Sequence, residues 1–275
     1  MSHTRMTVRQ RIRFSVRRDQ RAPLGPALEQ ARAAAYPAGE YVGQESFMRA
    51  SEIRALARQA RIGPGVSVLD LCCGVAGPGR MITAESGCRY LGVDHSARAV
   101  AAARERAGNL PCRFEQGHLP PLPQGCFEVV LLLETMLAFP DKAALVRDVE
   151  RVLAPGGRFA FTVEEGRPLT GQERARMPAA DTVWPIGLTE LAGVLRGAGL
   201  TVLWRQEYSA AHHAIATALH RCYRADSSLI AGQIGAQATE DLITAHQLWS
   251  DWLGSGRVRK FAMVAGKQRP SSVKP

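Results

Sequence analysis

Apolar and polar positions along the 275-residue chain fall into short segments whose period changes repeatedly. Residues 66–71 read as a strand with Val66, Val68, Leu69 and Leu71 apolar, and 127–133 is a continuous apolar run, the pattern of a strand covered on both faces of a parallel sheet. Further strands are expected at 90–93, 112–115, 158–163, 201–206 and 258–265. Between them the apolar spacing lengthens to that of helices, at 77–86, 97–107, 141–153 and 188–197, the third ending at Pro155-Gly156-Gly157. This alternation predicts an α/β fold with a doubly wound sheet and right-handed crossovers.

Two regions depart from plain alternation. Residues 27–35 and 45–62 read as helices separated by a break from Tyr36 to Gly43; Phe47, Ala50, Ile53, Leu56 and Ala57 form the apolar stripe of the second. Residues 209–256 interrupt the pattern before the last strand. Two helices are expected there, one N-capped by Thr239, striped by Leu242, Ala245, Trp249 and Trp252, and ended by Gly254. An insertion of that size over an open sheet is a natural lid. The expected division is a basic arm at 1–22, a globular domain at 23–267 with the lid at 209–256, and a tail at 268–275.

Charge sharpens this picture. The net charge is +10, yet residues 1–22 carry seven arginines against Asp19, and Lys267, Arg269 and Lys274 add three more near the end. The remaining body is nearly neutral, whereas a nucleic-acid enzyme more often shows a basic face on its folded body. The arm alternates, with Met6, Val8, Ile12, Phe14 and Val16 against Arg9, Arg11, Arg13 and Arg17; a pairing strand, a disordered basic tail and a transit peptide are all compatible. The six cysteines form no C-x-x-C pair and no zinc spacing, so free thiols and no metal are expected, in a cytoplasmic setting. No apolar stretch reaches the length of a membrane span.

The stretch VLDLCCGVAGPGR (68–80) carries the most chemistry. Its glycines, Gly74, Gly77 and Gly79, run G-x-x-G-x-G, the wrong order for a dinucleotide loop, and it lacks the lysine of a phosphate loop. Asp70 lies in the first strand and would repel a phosphate; Asp94 ends the second and suits a ribose diol. The pair selects an adenosine that bears positive charge and no phosphate, as S-adenosylmethionine (SAM) does.

These segments resemble the class I SAM-dependent methyltransferases of the small-molecule, ubiquinone-biosynthesis type, over roughly residues 40–208. VLDLCCGVAGPGR is similar to the first motif, YLGVDHS (90–96) to the ribose segment, CRFEQGHLPPLP (112–123) to the adenine segment, and RVLAPGGRFAFT (151–162) to the helix–PGG–strand signature. The resemblance implies a Rossmann-like seven-stranded sheet with an antiparallel last strand, N-terminal helices and a helical lid. It implies SAM as cofactor, held by Asp70, Cys72, Gly74, Asp94, His95, Gly117, His118 and Leu119, with Tyr41, Gln44 and Glu134 as further contacts. Cys72 and Ala76 stand where the family's loop has glycines, and His118 replaces the usual aspartate of the adenine segment.

The acceptor is less defined. LLLETMLAFPD (131–141) follows the fourth strand, where the methyl is expected, and lacks the [DN]-P-P-[YF] of base amino-methyltransferases. Glu134-Thr135-Met136 is similar to a stretch of olefin and prenyl diphosphate C-methyltransferases, which would make Glu134 a catalytic carboxylate; Glu134 serving only the SAM ammonium or a helix cap is the alternative. His213, Thr217, His220 and Arg224 share one face of a lid helix and, with Tyr208, are candidates for the substrate, as an anion site or as a solvated face. Glu164, Glu165 and Tyr223 are further candidates. The expected function is methyl transfer to a small molecule, with a lean to carbon methylation of an isoprenoid. O- or N-methylation, a nucleic-acid methyltransferase and a non-methylating relative are the alternatives; a small-molecule substrate, no nucleic acid and a possible homodimer complete the expectation.

Overall fold

The computed structural model describes residues 25–178 and 183–268; the arm at 1–22 and nearly all of the tail at 268–275 lie outside them. The sheet is built from β1 (Ser67–Leu71), β2 (Arg89–Asp94), β3 (Cys112–Gln116), β4 (Phe127–Leu132), β5 (Leu153–Glu165), β6 (Leu200–Glu207) and β7 (Arg259–Lys267). Their order is β3-β2-β1-β4-β5-β7-β6. Strands β1 to β5 pair in parallel, and β7 runs antiparallel to both β5 and β6. The winding reverses between β1 and β4, so a crevice is expected outside their carboxyl ends.

The continuous apolar runs are buried on both sides, as the pattern required. Helices α1 (Pro26–Ala34), α2 (Ala50–Gln59), α3 (Gly77–Ser86), α4 (Ala97–Ala107), α5 (Lys142–Val152), α6 (Gly171–Ala175) and α7 (Leu188–Gly197) precede the lid. One face of the sheet packs Val130, Leu132, Phe159 and Phe161 against Val146 and Val149 of α5 and Leu191 and Leu195 of α7. The other packs Val68, Val129 and Leu131 against α2, α3 and α4 through Ile53, Leu56, Ile82, Val100 and Ala103.

The two departures from alternation join each other. Three lid helices replace the expected two: α8 (Ser209–Ala225), α9 (Ser227–Ile234) and α10 (Ala236–Gly254). The chain breaks at Asp226 and at Gly235, whose φ of +88° suits glycine. Thr239 is not the cap of α10; it sits inside the first turn, where its hydroxyl donates to the Gly235 carbonyl at 2.9 Å. Leu28 and Ala31 of α1 pack with Ile215, Leu219 and Tyr223 of α8, Ile230 of α9 and Leu253 of α10 in a core separate from the sheet. The N-terminal helix is therefore part of the lid's packing.

The helix expected over 45–62 starts five residues late. The Glu52 carboxylate turns back to accept the Arg49 backbone N–H at 3.0 Å, forming a capping box that sets the start at Ala50. Residues 45–47 are freed to line the site, and Phe47 reaches between His212 and Trp249. The preceding loop presses on the first turn of α3: a Cβ on Gly77 would stand 2.3 Å from the Val42 carbonyl oxygen and 2.6 Å from the Gly43 carbonyl carbon. Backbone cannot yield as a side-chain tip does. Gly77→Ala is expected to cost about 1–3 kcal/mol and to speed amide exchange at 42–44; an unchanged melting temperature and exchange pattern would show that the approach is not tight.

Candidate functional site

At the carboxyl ends of β1, β2 and β4 and the start of β7, under the lid, lies a cavity of about 420 Å³. Its floor is the loop after β1. Cys72 and Ala76 take left-handed φ values of +60° and +56°, as does Gly74 at +54°. That conformation is the physical reason for glycine at such positions, and it costs a side-chain-bearing residue roughly 1–2 kcal/mol.

Asp94 ties this loop to the next. Its Oδ2 accepts the Gly74 N–H and its Oδ1 the Ser96 N–H, each at 2.9 Å. Burial alone would raise its pKa, but His95 at 3.3 Å and the two amides outweigh it and hold the carboxyl below its ordinary value. Asp70 has the opposite balance. Burial pushes it up to about 7, the Tyr90 hydroxyl bonded to Oδ2 pulls it down, and Asp94 adds repulsion. Two nearby carboxylates of unlike pKa thus face one cavity.

The third carboxylate stands across the cavity. Glu134 follows β4 with a φ of +55°, and its N–H donates to the Thr162 hydroxyl at 2.5 Å. Its Oε2 lies 2.7 Å from Lys260 Nζ, and Lys260 also pairs with Glu164 at 2.5 Å. Glu164 and Lys260 are register partners in the β5–β7 pairing. Burial works against charge on Glu134, but Lys260 first and His212 second hold its pKa below the ordinary value. Burial likewise works to strip Lys260, and Glu134 and Glu164 overcome it. Glu134 Oε1 is buried without a hydrogen-bond partner among the described residues.

The expected site residues divide. Asp70, Cys72, Gly74, Asp94, His95, Gln44 and Glu134 line the cavity. The Gln44 amide is committed to its own loop, accepting from the Val42 N–H and donating to the Glu40 and Met48 carbonyls. Gly117, His118 and Leu119 stand beyond the lining, joined to it by Gly117 N–H donating to the Asp94 carbonyl and by the His118 ring 6.3 Å from His95. Tyr41 is outside as well, its ring 5.4 Å from that of Tyr36.

The lid stripe faces elsewhere. His213 abuts Gly254, Thr217 bonds Ser250, and His220 bonds the Ile243 carbonyl, so this face is the seam between α8 and α10. Arg224 is exposed, and Tyr208 stacks on His212. The α8 residues that do line the cavity are Leu219 and Tyr223, opposite Leu242, His246 and Trp249 of α10. Sequence reasoning passed over Lys260, Phe47, His246 and Arg32. A lysine abutting the apolar run Phe261–Ala265 was the weak signal available for Lys260.

The donor set suits SAM. Asp94 and Asp70 put two carboxylates on the cavity wall that could take a diol and an ammonium, and among the described residues no lysine lies on the loop to hold a phosphate. An ammonium beside Asp70 favours its ionised form, so binding below pH 7 must expel a proton. SAM affinity is expected to fall as pH drops from about 7, by up to roughly tenfold per unit. Calorimetry from pH 5.5 to 7.5 measures this, with Asp70→Asn as the pH-independent reference. A flat wild-type profile contradicts it.

Comparison with known proteins agrees. Residues 69–161 match the family described as Methyltransferase domain. Over 160 residues the chain is 32% identical to an uncharacterized methyltransferase of Synechocystis sp., covering 54% of this chain and 73% of that protein. Over 123 residues it is 33% identical to a sterol 24-C-methyltransferase of Gibberella zeae, covering 42% of this chain and 32% of that one. Among solved structures, the cyclopropane synthase MmaA2 of Mycobacterium tuberculosis shares the fold with a TM-score of 0.78 at 12% identity, covering 92% of this chain and 98% of that one. The antiparallel β7, the loop without a phosphate lysine and the paired acids have the same explanation: the chain belongs to the class I SAM-dependent methyltransferases of the small-molecule type.

Proposed function

We propose that this enzyme methylates a carbon of an apolar, isoprenoid acceptor. Bound SAM supplies an electrophilic methyl on a sulfonium. The observation that carries the reading is Glu134, a cavity-lining carboxylate whose Oε1 is buried without a hydrogen-bond partner among the described residues. When an alkene attacks a methyl group, positive charge develops on the acceptor and a proton must leave. A fixed carboxylate serves both needs, and more strongly in a water-poor site.

The chamber next to Glu134 fits such an acceptor. Leu137, Leu219, Ile234, Leu242 and Trp249 line it. Arg32 of α1 also lines it, held by Glu45 at 2.7 Å and by the Tyr223 hydroxyl at 3.3 Å, and is the guanidinium available to an anionic end. It takes the place assigned from sequence to His213, His220 and Arg224. The sterol methyltransferase similarity supports a carbon acceptor over the aligned third of that protein.

One observation favours O-methylation instead. His246 Nδ1 lies 2.8 Å from the Leu242 carbonyl and must donate to it, leaving Nε2 as an acceptor in the cavity wall for a hydroxyl. Burial, however, lowers the His246 pKa to about 4, which makes it a weak base for an alcohol at neutral pH.

The test is incubation of the full chain with SAM and, separately, geranyl diphosphate, a sterol alkene and a prenylated hydroquinone, locating the added methyl by mass spectrometry and NMR. A new carbon–carbon bond is expected with at least one acceptor. Glu134→Gln should lower its kcat by roughly a hundredfold while leaving SAM affinity within about one order of magnitude. An oxygen- or nitrogen-methylated product, or full turnover by Glu134→Gln, contradicts the proposal.

A further inference from the structure

Lys260 interrupts a strand whose next six residues, Phe261 to Gly266, are all buried. Burying an ammonium there needs a reason beyond packing, since an apolar residue of similar volume would do as well or better. A structural ion pair would also satisfy its own oxygens. Here one ammonium serves two carboxylates, Glu134 and Glu164, and two oxygens remain buried without partners, Glu134 Oε1 and Glu164 Oε2. Two carboxyl groups thus share direct contact with a single ammonium. The rings of Phe47 and Trp249, each centred 5.5 Å from Nζ, hold the ammonium on its remaining sides and keep its position fixed.

We propose that Lys260, clamped between Glu164 and Glu134, is a positioning residue that aims Glu134 and gives this corner of the cavity a standing negative charge for a cationic species. The assignment rests on Glu134 facing the reacting methyl. Positive charge has two sources there, the cofactor's sulfonium and the centre formed on the acceptor. Lys260 contacts both carboxylates, takes Oε2 of Glu134 and leaves its Oε1 without a hydrogen-bond partner among the described residues.

The groups acting on the cluster come from several elements. His212 of α8 lies near Glu134 and bonds Glu52 of α2 at 3.0 Å, and Glu52 bonds Arg49 at 2.7 Å. Lys142 of α5 acts on Glu164, and Glu134 acts on the Tyr36 phenol, whose hydroxyl donates to the Ser46 carbonyl. None replaces Lys260, which is the cation in direct contact with both carboxylates.

The test compares SAM with S-adenosylhomocysteine, titrated calorimetrically into the full chain between pH 5.5 and 7, where the amino groups of both are protonated. Both ligands carry the same ammonium, so the effect of Asp70 cancels in the ratio of their dissociation constants. Only sulfonium against thioether remains. The wild-type ratio should favour SAM and stay constant with pH. Glu164→Gln and Glu134→Gln should each lower the preference by about tenfold. Lys260→Met should make the ratio fall towards acid pH, because an unpaired carboxylate then takes up a proton, and Lys260→Arg should restore the constant ratio. A lysine with a merely structural role would change stability and both affinities together, leaving the ratio unmoved.

If the charge served is the acceptor's, the ratio holds, and kcat with the methylated acceptor gains the same pH dependence in Lys260→Met and loses it in Lys260→Arg. A ratio and a pH profile that respond to none of these variants overturn the proposal. Should Lys260→Met fail to fold, Glu164→Gln carries the test, since it keeps the Glu134–Lys260 pair and removes only the second carboxylate. Absence of any carbon-methylated product would count against the carbon-methylation reading while leaving the ratio measurement intact.

Discussion

A buried ammonium shared by two carboxylates organises the reactive end of this molecule. Lys260 joins the exit of β4, the end of β5 and the start of β7 at one point. Removing a single partner of such a cluster typically costs about 3–5 kcal/mol, because the others are left charged and unpaired. The antiparallel direction of β7 makes the junction possible: only a strand that starts at the carboxyl edge of the sheet can place its second residue beside the last residues of β5. A parallel final strand would bring the same lysine to the opposite edge.

The rest of the cavity is assembled by comparable short-range constraints. Asp94 binds the two loops that follow β1 and β2 through backbone amides, so the cofactor half of the cavity is held by main chain. The approach of residues 42–43 to Gly77 closes the loop from the N-terminal side. The lid closes the remaining side, and α1 packs in the lid's core although about 180 residues of sequence lie between them. The cavity is therefore walled by segments from both ends of the chain, and only its floor belongs to the nucleotide-binding half.

Local chemistry was legible in the sequence. Apolar runs identified β1 and β4, the alternation identified the doubly wound sheet, and the ordered motifs identified a SAM-dependent methyltransferase. What depends on register or on helix rotation was not legible. The stripe of His213, Thr217, His220 and Arg224 has correct helical spacing, yet spacing does not say which side of α8 meets α10. Lys260 reads as an ordinary strand residue until the β5–β7 register sets it opposite Glu164. The late start of α2 followed from a capping glutamate, Glu52, inside an otherwise unbroken helical pattern.

The central claim is that Glu134 faces the reacting methyl with one oxygen free. A crystal structure of the full chain with S-adenosylhomocysteine tests it most directly. The account predicts the ribose hydroxyls on Asp94, the ammonium beside Asp70, and the thioether sulfur turned towards Glu134 Oε1 and the chamber lined by Trp249 and Leu219. A sulfur directed away from Glu134, with the Lys260 cluster sealed behind other side chains, would contradict it.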